Sequence, residues 1–209
     1  MFKLLGQALT KILFFKEIKD YDKVLAEIDN TASTILGLNV DMLERMPVSG
    51  IKDLLGSDPA LLRSKFYAAA ILLKEKGEIF ELQNNEDESV SLYMKSLSLF
   101  MGELPVAENF DDENDTKAID FVIEKLKGYE LPIELKKKLA LYFEKTGRYD
   151  RLDDLIFEMV EEDVRFIPDG ISFYDRLLLK SDSQLAEGHL PRNEVEDGLA
   201  ELRGKLVGI

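Results

Sequence analysis

Lys136-Lys137-Lys138 is the one basic cluster on an acidic chain, and Tyr142 follows it within two helical turns. Ammonium groups and a phenol presented together can hold the carboxylate of a peptide through charge-assisted hydrogen bonds. Lys136, Lys137, Lys138 and Tyr142 are therefore the expected partner contacts. The competing reading is a solvated stripe lying between the apolar Leu135 and Leu139. Asp153, Asp154 and Glu158 are the carboxylates that a metal-dependent or hydrolytic centre would use. The single histidine, His189, sits among Gly188, Leu190 and Pro191 and reads as a turn residue. No Glu-x-x-His pair supports a di-metal bundle site.

Other strings fail on context. Asp111-Asp112-Glu113-Asn114-Asp115 suggests calcium, but Thr116 stands where the loop needs glycine and Val122 where it needs a bidentate glutamate. Ser49-Gly50-Ile51-Lys52, Ser181-Asp182-Ser183 and Lys145-Thr146-Gly147 echo the penicillin-recognising motifs, yet the last of these closes a helix instead of lying on a strand. There is no glycine-rich phosphate loop, dinucleotide fingerprint or Gly-x-Ser-x-Gly elbow. The expectation is a protein without catalytic residues, cofactor or metal.

Composition narrows the class further. The chain has 209 residues, 45% of them hydrophobic, enough to bury a core as one or two domains. It contains no cysteine, which excludes disulfides and thiolate chemistry and suits a reducing, cytoplasmic location. Its 41 acids outnumber 27 bases for a net charge of −14, the wrong sign for a nucleic-acid partner. Gln7, Lys11 and Lys16 interrupt the most apolar run, so neither a membrane span nor a signal peptide is expected there.

The elements that must position any site read as helices throughout. Apolar residues recur at helical spacing over 2–15, 21–36, 58–75, 89–101 and 116–127. The same holds for two segments after Pro132, for one from Asp169 and for one from Pro191. Two short pieces flank Pro47, and Asp58-Pro59 is a strong helix start. Glu86 to Glu88 is read as part of a lengthened corner, and the acidic, aperiodic stretch 105–115 as a linker between residues 1–104 and 116–209.

One string occurs twice. Phe15-Lys16-Glu17-Ile18-Lys19-Asp20-Tyr21-Asp22 returns as Phe143-Glu144-Lys145-Thr146-Gly147-Arg148-Tyr149-Asp150. Each copy resembles the inter-helix corner of a tetratricopeptide repeat, although Lys19 replaces the expected glycine and Leu152 a small residue. Three further stretches, Leu9 to Leu13, Gly37 to Leu43 and Glu187 to Leu199, resemble a bacterial family common in Gram-positive organisms. That family is classed as a domain of unknown function with tetratricopeptide-like helices. The likeness implies an architecture and assigns no functional residue.

The expected fold is all-α, with eight to ten helices in antiparallel pairs forming a right-handed, tetratricopeptide-like superhelix of degenerate repeats. The function that follows is a non-catalytic protein- or peptide-interaction module. One alternative is a homodimer built by the apolar N-terminal or C-terminal helix. The other is a helical enzyme using a carboxylate site.

Overall fold

A computed structural model describes residues 1–102 and 113–207. These residues form twelve α-helices and one 3-10 turn, with no strand among them. The helices are α1 (Phe2–Glu17), α2 (Tyr21–Leu36), α3 (Val40–Arg45), α4 (Val48–Leu55), α5 (Pro59–Leu82), α6 (Glu86–Met101) and α7 (Glu113–Lys125). They continue with α8 (Ile133–Thr146), α9 (Tyr149–Glu162), the 3-10 turn Val164–Phe166, α10 (Ile167–Leu177), α11 (Asp182–Glu187) and α12 (Arg192–Val207). The all-helical expectation holds, but the count exceeds eight to ten. One unanticipated helix is α11, where Ser181 and Gln184 form a reciprocal capping box that nucleates a single short helix.

The repeated corner is a backbone device. At the end of α1 the Asp20 N–H donates to the Phe15 carbonyl (2.9 Å) and the Lys19 N–H to that of Lys16 (3.0 Å), with Lys19 at φ 56°. At the end of α8 the Arg148 N–H donates to Phe143 (2.9 Å) around Gly147 at φ 71°. This is the Schellman arrangement, in which a left-handed residue turns the chain so that the last helical carbonyls are satisfied. It also occurs where no sequence likeness marks it. Asn85 donates to Phe80 (2.8 Å) around Asn84 at φ 59°, and Leu190 to Leu185 (3.1 Å) around His189 at φ 58°. The pairs α1–α2, α5–α6 and α8–α9 are thus hairpins with one corner geometry.

The described chain divides into two compact units, with the break between Glu130 and Leu131. The linker expected at 105–115 falls largely outside the described residues, as does the acidic string proposed and rejected there as a calcium loop. The division comes later than expected because α7 packs with the first unit. Ile119, Val122 and Leu126 are buried, and the Phe121 ring meets that of Tyr93 edge-on at 6.1 Å.

In the first unit α5 is the central rod. Leu62, Phe66, Ala68 to Leu73 and Ile79 are all buried, and the unbroken run Ala68 to Leu73 is apolar on every side, so the helix must be surrounded there. Helices α1, α2, α3, α4 and α6 pack on it. Helix α5 runs to Leu82, past the expected end near Glu75, because the charged run Lys74 to Glu78 is paired within the unit and does not mark a solvent-exposed terminus. Glu86 to Glu88 form the first turn of α6, where their charge complements the helix dipole, so the corner is short. A Cβ on Gly77 would lie 2.9 Å from the Tyr93 ring, and the Ser89 and Ser96 hydroxyls donate to the Gly77 (3.0 Å) and Ala70 (2.8 Å) carbonyls. Small residues thus let α6 seat closely along α5.

In the second unit the stretch Glu187 to Leu199 performs packing. The Gly188 carbonyl accepts from the Asp150 N–H (3.1 Å), and a Cβ on Gly188 would stand 2.3 Å from the Tyr149 ring. The α11–α12 turn is therefore pressed onto the α8–α9 corner. Gly198 lies against Tyr174 in the same manner, and Val195, Leu199 and Leu202 are buried. Arg192 donates to the Lys180 carbonyl (2.7 Å) and the Leu178 carbonyl (3.2 Å), closing the end of α10.

Candidate functional site

The four residues expected to touch a partner do not share a face. On α8, Lys136 falls at the spacing of Leu139, Ala140 and Phe143, which places it on the buried side, and it is 1% exposed. Its ammonium pairs with Glu158 (2.7 Å) and with Glu162 of α9. Burial works against that charge, but the two carboxylates outweigh it and hold the lysine above its ordinary pKa. Tyr142 is 0% exposed. In this conformation neither Lys136 nor Tyr142 is presented to a ligand, which corrects the expectation for both. Lys137 is half-buried, pairs with Glu134 (3.0 Å) and lies 4.8 Å from the Phe166 ring. Lys138 is half-buried. The basic cluster is drawn largely into contacts of its own unit because consecutive helical residues point about 100° apart.

The carboxylate candidates separate likewise. Asp153 accepts a hydrogen bond from the Tyr174 hydroxyl, while Glu158 serves Lys136. Burial raises the Asp153 pKa despite that hydrogen bond, and the negative charges of Asp154, Glu194 and Glu201 add to the rise. Burial also raises the Tyr174 pKa, and the Asp153 carboxylate adds to it. Among the described residues no three His, Asp or Glu side chains converge as a metal set would require. His189 is exposed and serves as the left-handed residue of its corner.

An open site of the first unit lies between α1 and α2. A groove of about 530 Å³ is bounded by Leu4, Gln7, Ala8 and Lys11 on one helix and by Glu27, Asn30, Thr34 and Ile35 on the other. Among the described residues none of α5 or α6 lines it. Its floor is apolar, with Ala8 buried and Ile35 partly so. Lys11 and Glu27 bridge it at 2.9 Å, although the lysine is 58% exposed, so this pair adds little to stability. The Thr31 hydroxyl is turned inward to the Glu27 carbonyl (2.6 Å). Gln7, Asn30 and Thr34 are exposed at the groove and hydrogen-bond to no other described side chain. Sequence reasoning passed over these residues because they carry no charge cluster. The available signal was the polar spacing Glu27, Asn30, Thr34, one helical stripe set beside the buried Val24, Ile28 and Ala32.

Helix α1, one wall of the groove, is tied to α5 at its C-terminal end. Lys16 at the end of α1 reaches Glu75 (2.9 Å) and Glu78 (2.6 Å) on α5, and Lys74 completes the network through Glu75 (2.8 Å). Burial opposes the charge of Glu75, but Lys74 and Lys16 hold its pKa below the usual value. Burial likewise opposes the Lys16 ammonium, and Glu75 and Glu78 keep its pKa raised.

A helical protein with hairpins closed by one corner and a groove on its first hairpin is the class these features define. The chain belongs to a family of unknown function, DUF6483, whose profile matches residues 1–207. No curated protein and no solved structure matches it. Among the described residues no helix is long and apolar enough to cross a membrane.

Proposed function

We propose that the protein is a non-catalytic interaction module of tetratricopeptide-like type, in which the α1–α2 groove holds a segment of a protein partner. The observation that carries this reading is the groove's mixed lining. The amides of Gln7 and Asn30 can each donate and accept, as a peptide main chain requires, while Leu4, Ala8 and Ile35 offer a surface for apolar side chains. The shared corner of α1–α2, α5–α6 and α8–α9 supports the repeat-like reading, since such arrays are built from hairpins of one geometry. The cysteine-free, acidic composition suits a cytoplasmic module that does not bind nucleic acid. The resemblance carried by Leu9 to Leu13, Gly37 to Leu43 and Glu187 to Leu199 is the ground on which we assign the family to Gram-positive bacteria. Affinity capture from the native cells tests the groove. Thr34→Trp, which fills it, is expected to lose a partner that wild type and Lys138→Glu both retain. Equal retention by all three proteins would reject the groove.

A second reading is favoured by α1 itself. Phe2, Leu4, Leu13, Phe14 and Ile18 are between 50% and 61% exposed, an apolar density suited to pairing with a second copy about a two-fold axis. Light scattering that gives a monomer at tens of micromolar would exclude it.

A further inference from the structure

Within the first unit a second cleft, of about 300 Å³, opens where the α5–α6 corner meets the segment after α7. Two tyrosines, Tyr93 and Tyr129, and two carboxylates, Glu81 and Glu86, line it, and Val90 supplies an apolar surface. The cleft already holds one cation. Lys125 places its ammonium 2.5 Å from Glu81 Oε1 and 5.4 Å from the Phe121 ring, while the Tyr93 hydroxyl donates to Glu81 Oε2 at 2.8 Å. Among the described residues Glu86 accepts only from the Tyr129 hydroxyl, a neutral donor, and it is exposed. The lining therefore carries one uncompensated negative charge beside aromatic rings, on a chain whose net charge is −14. Tyr93 is buried and only its hydroxyl serves the lining, whereas Tyr129 is exposed, and an exposed aromatic ring with carboxylates around an aliphatic surface is the chemistry that receives an ammonium or guanidinium on a hydrocarbon stem. The volume sits at the lower limit of small-molecule pockets, about 300 Å³, which fits a side chain better than a cofactor.

We propose that this cleft receives a lysine or arginine side chain from a protein partner, its charge meeting Glu86 and Glu81 and its stem lying over Val90 beside Tyr129. Lys125 is the internal competitor for Glu81. The proposal is independent of the α1–α2 groove and stands if that groove binds nothing.

The test is an NMR titration of the full chain with the capped peptide Gly-Ser-Arg-Ser-Gly, its citrulline counterpart and free 1,4-diaminobutane. The arginine peptide is expected to shift the backbone amides of Ser89 and Val90, and the citrulline peptide to leave them in place. Glu86→Gln, at an exposed helix start where folding is not at risk, should weaken binding about tenfold, the scale of one lost charge-assisted hydrogen bond. Lys125→Met, which keeps the stem and removes the charge, should tighten binding several-fold. Equal shifts with the arginine and citrulline peptides would overturn the proposal, as would weaker binding by Lys125→Met. Binding of diaminobutane without the peptide would overturn the protein source of the cation.

Discussion

Three of the four left-handed corner positions are occupied by residues with a Cβ, and replacing them with glycine should strengthen the fold. An ordinary side chain in the left-handed region costs about 1–2 kcal/mol. Glycine removes that strain but adds about 0.5–1 kcal/mol of backbone entropy to the unfolded chain. The difference for Lys19→Gly and His189→Gly is a gain of about 0.5–1 kcal/mol, since both side chains are exposed and no packing is lost. Asn84→Gly should change little, because asparagine tolerates the region through local hydrogen bonding. Gly147→Ala should lose about 0.5–1 kcal/mol for the mirror-image reason. In a chain of this size these changes move the melting temperature by about 1–4 °C. Urea unfolding followed by circular dichroism measures all four. Destabilisation by Lys19→Gly, or no effect of Gly147→Ala, would refute the shared corner.

Other expectations follow from packing and charge. Gly188→Ala should destabilise by about 2 kcal/mol or more, because its Cβ would meet the Tyr149 ring at 2.3 Å and the Gly147 carbonyl at 2.6 Å. Gly6→Ala, with nothing within 4 Å, should stabilise α1 by up to about 1 kcal/mol in the same unfolding assay. Glu75→Gln breaks the network with Lys16 and Lys74 and should cost about 2 kcal/mol or more. Glu75 has a lowered pKa and Lys16 a raised one, so their contribution should be flat between pH 4.5 and pH 10.5. It is lost below that window as Glu75 protonates and above it as Lys16 deprotonates. Asp153 has a raised pKa, so the native state binds the extra proton and stability falls as pH rises above 3.8 through the folded pKa. Asp153→Asn should therefore be neutral or stabilising at pH 7 and lose that advantage in acid. A variant destabilised at pH 7 but not at pH 4 would contradict the sign.

Helical periodicity made the all-α class legible, and the likeness of 15–22 to 143–150 located two of the corners. The corner at Phe80 was hidden because asparagine replaces glycine and Glu86 replaces the tyrosine, although the backbone closes in the same way. The length of α5 was misread because Lys74, Glu75 and Glu78 look like a solvated end, and only the neighbouring Lys16 makes them interior. The failure at Lys136 was avoidable in part. Its spacing to Leu139, Ala140 and Phe143 is that of a core position, whereas a cluster of like residues drew attention to charge. The α1–α2 groove depends on two helices joined at a corner, and neither helix shows it alone.

Photo-crosslinking in the native cells tests the central claim most directly, with p-benzoylphenylalanine placed in turn at Thr10 and Lys11, exposed residues bordering the groove, and at Lys138. A protein segment held between α1 and α2 predicts adducts to the same partner at Thr10 and Lys11 and none at Lys138. Adducts at Lys138 alone, or adducts at Thr10 and Lys11 only to a second copy of this chain, would contradict it.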